Sequence, residues 1–567
     1  MNIKKILFLV SIAIWDIAGA QNKVNQFIAN SIPTFNSNLT TTIPKAPKWV
    51  ERAAFYEIYP QTFKDSNGDG IGDLKGIISE LDYVKSLGVD AIWLNPFYVS
   101  PFRDAGYDVS DYYHVAPRYG TDQDAKDLFR IANEKGLKVI VDFVPGHTSI
   151  DHPWFKASCS PQKNRYSNWY VWTNGTWFTE DYKYRENFIQ GYCERDGNFM
   201  TNFFWHQPAL NYGYGTIDPK QPWQLTVDHP DVMALREEMK NIMKHWLEMG
   251  CNGFRVDMAG SLVKNDNERK IAYFWKDVRA MMDEKYPDAF LISEWSYPIA
   301  AIQSGFHADF MHWFDSYNDL FAGENSFFRA KGNGNICKFL SSFLQQYNTT
   351  KETGYISLPV GNHDLIRINN GERDQKDIEI IQVFAFTMPN IPFIYYGDEI
   401  GMRQLDLKTG KEGAYGTRAG ARTPMQWNNS QNLGFSTAEK EALYFPVDNS
   451  LNAPTVQLQA NDKASLLNFT KKLVSLHKNE AALENYSTFT PIYAQPNQYP
   501  FIYLRENGKE RILVVLNPSD KEAKAEMKSE KKLKPKKILM GVNPIWTQKE
   551  DELCITISPK SYSIIKL

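Results

Sequence analysis

The sequence predicts an α/β fold: a (β/α)8 TIM barrel with an inserted subdomain after strand 3 and a C-terminal antiparallel β domain. Between residues 49 and 481, short apolar runs alternate with longer helical patterns, which favours a parallel sheet flanked by helices. Eight such runs can be counted, and eight is the number of strands that closes a barrel. Beyond residue 482 the apolar runs are separated only by polar turns, which is typical of antiparallel strands.

Taken in order, the apolar runs predict buried strands at residues 55–59, 91–95, 139–144, 253–257, 290–294, 308–310, 356–362 and 393–398. The apolar periodicity between them predicts helices at residues 74–87, 122–135, 232–249 and 269–286, and a further helix at 464–477 completes the barrel. Residues 148–213 are too long for a crossover, so they are predicted to form a subdomain beside the barrel mouth. The Gly-rich stretch 402–451 is predicted to form a loop over the same mouth.

The remaining boundaries follow from composition. Two lysines, the apolar run 6–15 and Ala18-Gly19-Ala20 are the three zones of a signal peptide at residues 1–20, so we expect export to the periplasm or the exterior. Residues 21–48 read as an irregular lead-in. The barrel follows at 49–481, and a C-terminal β-sandwich domain at 482–567.

Charge and composition exclude several function classes. The 63 Lys and Arg residues against 66 Asp and Glu give a net charge of −3, which disfavours nucleic acid as a partner. No later segment is long and apolar enough to span a membrane after signal cleavage. The five cysteines are too few for a disulfide scaffold and lack metal-ligand spacing. Aromatic residues make up 14% of the chain, and their flat rings suit the apolar faces of sugars. Oligomeric state is not readable from the sequence.

Acidic residues end three of the predicted strands. Asp257, Glu294 and Asp364 follow strands four, five and seven, and catalytic groups of parallel barrels lie at these carboxyl ends. Taken singly, each acid could be a helix N-cap or half of an ion pair. Together they would crowd negative charge at one mouth, which raises pKa values and suits proton transfer.

These acids lie within motifs that resemble the α-amylase family of retaining glycoside hydrolases, over about residues 49 to 567. The motifs are Gly68-Asp69-Gly70-Ile71-Gly72-Asp73-Leu74, Asp142-Phe143-Val144-Pro145-Gly146-His147, residues 253–257, Glu294, Asn362-His363-Asp364 and Tyr395-Tyr396-Gly397-Asp398-Glu399. The resemblance implies that Asp257 is the nucleophile, Glu294 the general acid and base, and Asp364 the transition-state stabiliser. It also implies that Arg255, His147 and His363 hold the sugar whose bond is broken.

This chemistry sets requirements on the acids. A retaining mechanism needs a carboxylate that attacks C1 and a protonated partner about 5 to 5.5 Å away. We therefore expect a raised pKa for Glu294, caused by the aromatic neighbour Trp295 and the charge of Asp257. Arg255 is expected to keep Asp257 ionised.

Two further segments resemble the branch of exo-acting α-glucosidases, oligo-1,6-glucosidases, sucrose isomerases and trehalose synthases. One is residues 421–427, around Arg422, and the other is residues 103–108, with Asp104 and Tyr107. The resemblance implies that Asp104 grips the terminal glucose and pairs with Arg422, while Tyr107 stacks on the ring. Such a pair would block the pocket behind one sugar, which favours cleavage from chain ends; the alternative is that the two are unrelated surface residues.

Two departures from the family pattern limit what the resemblance implies. Gly146 stands where amylases often have the Asn of a structural calcium site, and Met258 matches neither residue associated with α-1,4 or α-1,6 preference. Linkage preference is therefore not predicted.

A separate metal site is predicted in residues 65–73, where oxygen-bearing side chains alternate with glycines in the manner of a calcium loop. The segment resembles the calcium loop of oligosaccharide-cleaving relatives, which implies a structural Ca²⁺ held by Asp65, Asn67, Asp69 and Asp73 and by the carbonyl of Ile71. The alternative is an Asn/Gly turn with no ion.

The sequence thus predicts a retaining exo-acting α-glucosidase that hydrolyses terminal α-linked glucose from short oligosaccharides or disaccharides through a glycosyl-Asp intermediate. A transglycosylase or isomerase such as a trehalose synthase would use the same residues and remains the alternative. An alternative of another class is a non-catalytic glycan- or partner-binding relative, which would lack the acids.

Overall fold

The computed structural model describes residues 42–177, 187–267, 269–312, 317–332, 335–508, 510–528 and 533–567. The predicted signal peptide at residues 1–20 and most of the predicted lead-in lie outside the described residues. Among the described helices, none combines the length and the apolar character needed to cross a membrane.

Eight parallel strands form the central sheet, which confirms the predicted fold class. Their order is β7-β6-β5-β4-β3-β2-β1-β8, and each neighbouring pair is parallel. The edges meet where the Ile391 amide donates to the Ile356 carbonyl (2.9 Å) and the Ser357 hydroxyl donates to the Ile391 carbonyl (2.9 Å), so the sheet curls into a barrel. The strands are β1 (Phe55–Ile58), β2 (Ala91–Leu94), β3 (Lys138–Phe143), β4 (Gly253–Val256), β5 (Phe290–Ser293), β6 (Ala308–Phe310), β7 (Tyr355–Ser357) and β8 (Phe393–Tyr395).

Strand residues alternate between the barrel interior and the layer beneath the helices. Phe55, Trp93, Phe290, Phe310 and Phe393 belong to the interior cluster, whereas their strand neighbours belong to the larger outer core. Because side chains of a strand alternate with period two, the residue two positions beyond an interior aromatic also points inward, towards the mouth. This rule places the polar side chains at the carboxyl ends of the strands in one cavity.

Helices pack around this barrel: α1 (Leu74–Ser79), α2 (Leu81–Ser86), α3 (Asp122–Glu134), α4 (Pro153–Ser158), α5 (Pro230–Met249), α6 (Ile271–Lys285), α7 (Pro298–Gln303), α8 (Ile336–Thr350), α9 (Gln375–Thr387) and α10 (Leu466–Asn479). Their ends follow local chemistry. Thr121 and Asp124 form a capping box at the start of α3, and Asp374 and Asp377 form another before α9. Gly250 ends α5 in a left-handed conformation at φ 113°, which favours glycine.

The segment between β3 and α5 forms an aromatic layer beside the mouth. It contains α4 and a short antiparallel ribbon of Phe188–Gln190 and Asn198–Met200. An isolated bridge between His147 and Ala209 joins this layer to the end of the third strand motif. The long segment after β8 lies on the same side, because Tyr444 donates its amide to Gly70 in the loop after β1 (2.9 Å).

Two antiparallel sheets follow the barrel. The first contains β9 (Thr488–Tyr493), β10 (Phe501–Asn507), β11 (Glu510–Asn517), β13 (Lys537–Gly541) and β16 (Ser561–Lys566); the second contains β12 (Ala523–Lys528), β14 (Ile545–Lys549) and β15 (Glu552–Ile557). Residues such as Leu513 and Ile555 pack between the sheets, whereas the alternate residues Val514 and Tyr503 pack against the barrel. One face of the first sheet is therefore part of the main core.

Candidate active site

A cavity of about 410 Å³ lies at the carboxyl end of the barrel strands and contains all three predicted catalytic acids. Of the other predicted substrate-binding residues, Asp104, Tyr107, His147 and Arg422 also line it. Arg255 and His363 lie beneath it as fully buried side chains. The remaining lining residues, which the sequence did not single out for binding, are Phe203, Met258, Gly260, Ser261, Trp295 and Arg418.

Arg255 organises the floor of this cavity. Its Nη1 donates to Asp142 Oδ1 (2.8 Å) and Asp257 Oδ1 (3.0 Å), and its Nη2 contacts Glu294 Oε2 (2.8 Å). Its side chain is 1% exposed, so water does not screen these charges. A buried cation surrounded by carboxylates fixes their positions and compensates part of their mutual repulsion.

Asp257 and Glu294 titrate as one buried, coupled pair. Burial and the nearby charge of Glu294 raise the pKa of Asp257 well above its usual value. Burial also raises the pKa of Glu294, but Arg255 and His312 outweigh it and hold that pKa well below the usual range. The sequence could not show that Arg255 contacts Glu294 as closely as Asp257. The two carboxyl groups lie within hydrogen-bonding reach of each other, so a single proton can be held between them.

A second network shares Asp142 with the contacts of Arg255. His363 Nδ1 lies 2.7 Å from Glu57 Oε1, and its Nε2 lies 2.8 Å from the Tyr107 hydroxyl, which donates to Asp142 Oδ2 (2.9 Å). The Tyr107 and His363 rings stack at 5.4 Å. Tyr107 and His363 are therefore fixed in place before any sugar binds, as a preorganised site requires.

Two arginines hold Asp364. Arg422 Nη2 lies 2.9 Å and Arg418 Nε 3.1 Å from Asp364 Oδ1, and Arg422 Nε also donates to the His363 carbonyl (2.7 Å). Burial raises the pKa of Asp364, but His363, Arg418 and Arg422 outweigh it and lower that pKa to about 2. Asp364 is therefore an anion at neutral pH.

The predicted ion pair between Asp104 and Arg422 is wrong for the described residues, although both line the cavity. Arg422 pairs with Asp364, and Asp104 Oδ2 instead accepts from Gln207 Nε2 of the inserted segment (2.7 Å). Burial raises the pKa of Asp104 to about 6 despite the charge of Arg422. The physical reason is geometric: the hydrogen bond from Arg422 Nε to the His363 carbonyl holds the guanidinium beside Asp364, the next residue in the chain.

His147 is placed as a neutral group. Its Nε2 lies 3.2 Å from the Tyr107 carbonyl, and its Nδ1 lies 3.0 Å from Asn202 Nδ2. Burial lowers the pKa of His147 to about 3, so the imidazole is uncharged near neutral pH. Both ring nitrogens of His147 therefore have protein partners.

The backbone is strained directly after the catalytic positions. Met258 follows Asp257 with φ 43°, and Ser296 lies two residues after Glu294 with φ 60°. Left-handed conformations cost non-glycine residues free energy and persist only where the surroundings enforce them. Here the Met258 amide donates to Glu294 Oε2 (3.2 Å), so the strained turn orients the acid.

Some contributing residues were missed although a signal was present. Glu57, Asp142 and His312 each lie two positions beyond an interior residue of their strand, namely Phe55, Ile140 and Phe310. Counting by two from these residues would have found them. Arg418 lies four residues before Arg422 in a short helical turn, so both point the same way. Phe203 comes from the inserted segment, which carried no periodic signal.

In the predicted calcium loop, side-chain oxygens accept hydrogen bonds from the loop's own backbone. Asp65, Asn67 and Asp69 each accept a backbone N–H two residues further along, at 3.0, 2.9 and 2.8 Å. Asp73 caps α1 by accepting from the Gly76 amide (2.7 Å), and the Ile71 amide is the last donor of the series. Within the described ranges, no group of three or more Asp, Glu, His or Cys side chains is arranged to hold a metal ion. Binding of a calcium ion in this loop would therefore need the side-chain oxygen of Asn67 and the backbone carbonyl of Ile71 as ligands, in addition to the carboxylates.

Comparison with protein families fits this geometry. The model of the α-amylase catalytic domain matches residues 57–485, and that of the maltogenic amylase C-terminal domain matches residues 492–564. The chain belongs to the α-amylase family. It is therefore an enzyme of a glycoside hydrolase family, with the three acids in the cavity of its catalytic barrel.

Individual members of the α-amylase family resemble this chain along most of its length. Alpha-amylase 3 of Dictyoglomus thermophilum is 32% identical over 92% of this chain and 94% of its own length. The trehalose synthase/amylase of Mycolicibacterium smegmatis is 30% identical over 78% of both. The crystal structure of the trehalulose synthase from Pseudomonas mesoacidophila superposes with a TM-score of 0.76 at 25% identity, covering 92% of this chain and all of that one.

Proposed function

We propose that this α-amylase family enzyme is a retaining, exo-acting α-glucosidase that releases terminal α-linked glucose from short oligosaccharides or disaccharides. The observation that carries the proposal is a cavity where Asp257 and Glu294 face each other beside buried polar residues. Asp104, Tyr107, His147 and Arg422 are each at most 5% exposed. Buried polar groups of this kind would hydrogen-bond one sugar ring and leave little room for a chain that continues beyond it.

Bond cleavage would use the shared proton. In the sugar-bound enzyme Glu294 would carry the proton, leaving Asp257 as the attacking carboxylate. The Asp257 oxygen then bonds to C1 while the bond from C1 to the leaving oxygen breaks, and that oxygen takes the proton from Glu294. Because Arg255 contacts both carboxyl groups, it stays paired through the transfer.

Water would complete the cycle. Glu294, now a carboxylate, takes a proton from the water that attacks C1, and the bond from C1 to Asp257 breaks. The hydroxyl of the water becomes the anomeric hydroxyl, so glucose leaves in the α configuration and the shared proton is restored.

Asp364 would act on the sugar rather than on the bond. With a pKa of about 2 it remains ionised, and as an acceptor for sugar hydroxyls it would bind more tightly while the ring flattens and gains positive charge. Arg422 and Arg418 fix the position of its carboxylate. His363 contributes from below through its contact with Tyr107.

A transglycosylase or isomerase is the second candidate, and the relatives named trehalose synthase/amylase and trehalulose synthase favour it. It would use the same first step, but a sugar hydroxyl would replace water in the second. A purely glycan-binding role is disfavoured, because all three acids are present in one cavity.

Proton NMR of a maltose digest tests the choice. The proposal expects glucose as the main final product; with an aryl α-glucoside as substrate, whose leaving group has no anomeric carbon, the anomeric signal of α-glucose should grow first. Accumulation of trehalose or another disaccharide, with little free glucose, would establish the isomerase instead. First release of β-glucose from the aryl α-glucoside would contradict a retaining mechanism of either kind.

We further propose that residues 65–73 bind a structural calcium ion. The successive turns at Asp65, Asn67 and Asp69 direct oxygen-bearing side chains along one loop, the arrangement by which loops wrap calcium. Calcium at 1 mM is expected to raise the Tm after treatment with a chelator, and Asp69→Ala should abolish the shift. An identical Tm with and without calcium would refute the site.

We propose that the mature protein is exported, on the basis of the predicted signal peptide at residues 1–20 alone. Sequencing the N-terminus after expression of the full chain should find Gln21 first. A mature protein that retains Met1 would contradict the proposal.

A further inference from the structure

A turn of the long segment after β8 packs behind Asp104. Asp104 lines the cavity, is 5% exposed, and accepts from Gln207 at Oδ2. A Cβ atom built on Gly413 would overlap Asp104 Oδ1, so the glycine backbone lies directly against this carboxylate. Gly413 has φ 72°, a left-handed conformation that favours glycine. The turn Lys411–Gly413, which we call the closing turn, therefore backs the end of the cavity that contains Asp104.

Glu412, the middle residue of the closing turn, joins three segments of the barrel mouth. Arg118, from the segment after β2, donates from Nη1 and Nη2 to Glu412 Oε1 (both 3.1 Å). Gln61 Nε2, from the segment after β1, donates to Glu412 Oε2 (3.3 Å), as does the hydroxyl of Tyr444, further along the segment after β8 (3.0 Å). An arginine that donates twice to a carboxylate also fixes its orientation. One carboxylate thus fastens the closing turn to its neighbours.

The closing turn is held in a strained conformation by these contacts. Glu412 has φ 48° and ψ 50°, a left-handed conformation that costs a non-glycine residue free energy and persists only where the surroundings enforce it. The side chains of Glu412 and Arg118 are 14% and 23% exposed, so water screens their attraction only in part. Without the Glu412 carboxylate, nothing would oppose relaxation of the turn away from Asp104.

We infer that Glu412 determines exo specificity: by holding the closing turn against Asp104, it excludes substrates that extend beyond the terminal glucose. This inference rests on the proposed function, in which Asp104 and its buried neighbours bind that glucose. A chain that continued past Asp104 would have to displace the closing turn. The ion pair predicted between Asp104 and Arg422 does not close the pocket, because Arg422 pairs with Asp364. Glu412 acts through the turn and not on the reacting atoms, so it is a positioning residue.

Two aryl substrates with the same leaving group test the assignment. p-Nitrophenyl α-glucoside needs room for one sugar, whereas p-nitrophenyl α-maltoside with a benzylidene acetal on its terminal sugar releases p-nitrophenol only if two sugars fit. We expect the wild-type enzyme to hydrolyse the glucoside and to leave the blocked maltoside intact. Glu412→Ala should raise the ratio of kcat/KM for the blocked maltoside to that for the glucoside by about 10-fold or more, because the turn no longer fills the space behind Asp104.

Arg118→Gln removes the partner of Glu412 and should change the ratio in the same direction. Glu412→Gln keeps an acceptor oxygen and should retain most of the wild-type selectivity. Glu441→Ala is the matched control, because Glu441 is an exposed glutamate of the same segment, and it should leave both values of kcat/KM unchanged. Folded Glu412→Ala and Arg118→Gln enzymes that still reject the blocked maltoside would overturn the assignment of Glu412. A wild-type enzyme that cleaves the blocked maltoside as readily as the glucoside would instead overturn the proposed exo action.

Discussion

Arg255 is the residue on which the catalytic arrangement depends most. It contacts Asp142, Asp257 and Glu294 at 2.8 to 3.0 Å while being 1% exposed. Three buried carboxylates around one cation leave an excess of negative charge, and a proton shared by Asp257 and Glu294 reduces it.

Replacing Arg418 tests how the charges around Asp364 affect activity. Arg418→Gln removes one of the two guanidinium contacts of Asp364, so its carboxylate is held less firmly and kcat/KM for maltose should fall by about 10-fold. Steady-state kinetics measure this, with Arg165→Gln as the control because Arg165 is exposed and does not line the cavity. An unchanged kcat/KM would show that Arg422 alone positions Asp364.

Asp309 permits a prediction of pH dependence. It is fully buried, it accepts from the Ser293 hydroxyl (2.6 Å) and the Trp295 amide (3.0 Å), and burial raises its pKa to about 8. The pKa of Asp309 is higher in the folded protein than in the unfolded chain, where it is about 3.9. The contribution of Asp309 to stability is therefore fully present below this lower pKa, and it is lost as the pH rises towards 8. Asp309→Asn cannot ionise, so its Tm relative to wild type should be higher at pH 8 than at pH 5.

Thermal unfolding in matched buffers measures the Asp309 effect. The exposed substitution Asp551→Asn should give a difference from wild type that does not vary with pH. A Tm difference for Asp309→Asn that falls with rising pH would mean that Asp309 is ionised in the folded protein.

Among the elements, the barrel strands end one or more residues before the chemistry begins. The predicted strands 253–257, 290–294 and 356–362 included Asp257, Glu294 and Asn362, but the ladders stop at Val256, Ser293 and Ser357. In the last case Pro359 lacks an N–H, and the Leu358 amide already donates to the Asn390 side chain. Apolar runs show where a strand lies, but its last ladder bond depends on the neighbouring strand.

The C-terminal sheet is joined to the barrel through Arg505. This side chain is fully buried, and its guanidinium donates to the carbonyls of Thr387 (2.5 Å), Glu484 (2.7 Å) and Thr488 (3.2 Å). Arg505→Leu leaves these carbonyls without a donor, so the free energy of unfolding should fall by about 3 kcal/mol. Urea denaturation followed by tryptophan fluorescence measures this loss.

Two controls accompany Arg505→Leu. Lys549→Leu changes an exposed residue of the second sheet and should leave the unfolding free energy nearly unchanged. The described cavity contains no residue of the C-terminal sheets, so kcat/KM of the folded Arg505 variant should match wild type. A large loss of kcat/KM at full folding would show that this domain acts on the site.

At the level of the whole molecule, the sequence predicted the barrel and the convergence of the three acids because both depend on periodicity and chain order. It predicted neither the pairing of Arg422 with Asp364 nor the contact of Arg255 with Glu294. These contacts depend on which of several neighbouring carboxylates lies nearest to each guanidinium, and the residues concerned come from distant parts of the chain. Glu57 and His312 could have been predicted, because each lies two positions beyond an interior strand residue.

Identifying the residue that bonds to C1 tests the central claim most directly. A 5-fluoro-α-glucosyl fluoride should inactivate the enzyme by forming a glycosyl ester that hydrolyses slowly, and peptide mass spectrometry should locate the added sugar on Asp257. Inactivation with the sugar on Glu294 or Asp364, or turnover with no covalent adduct at any carboxylate, would contradict the account.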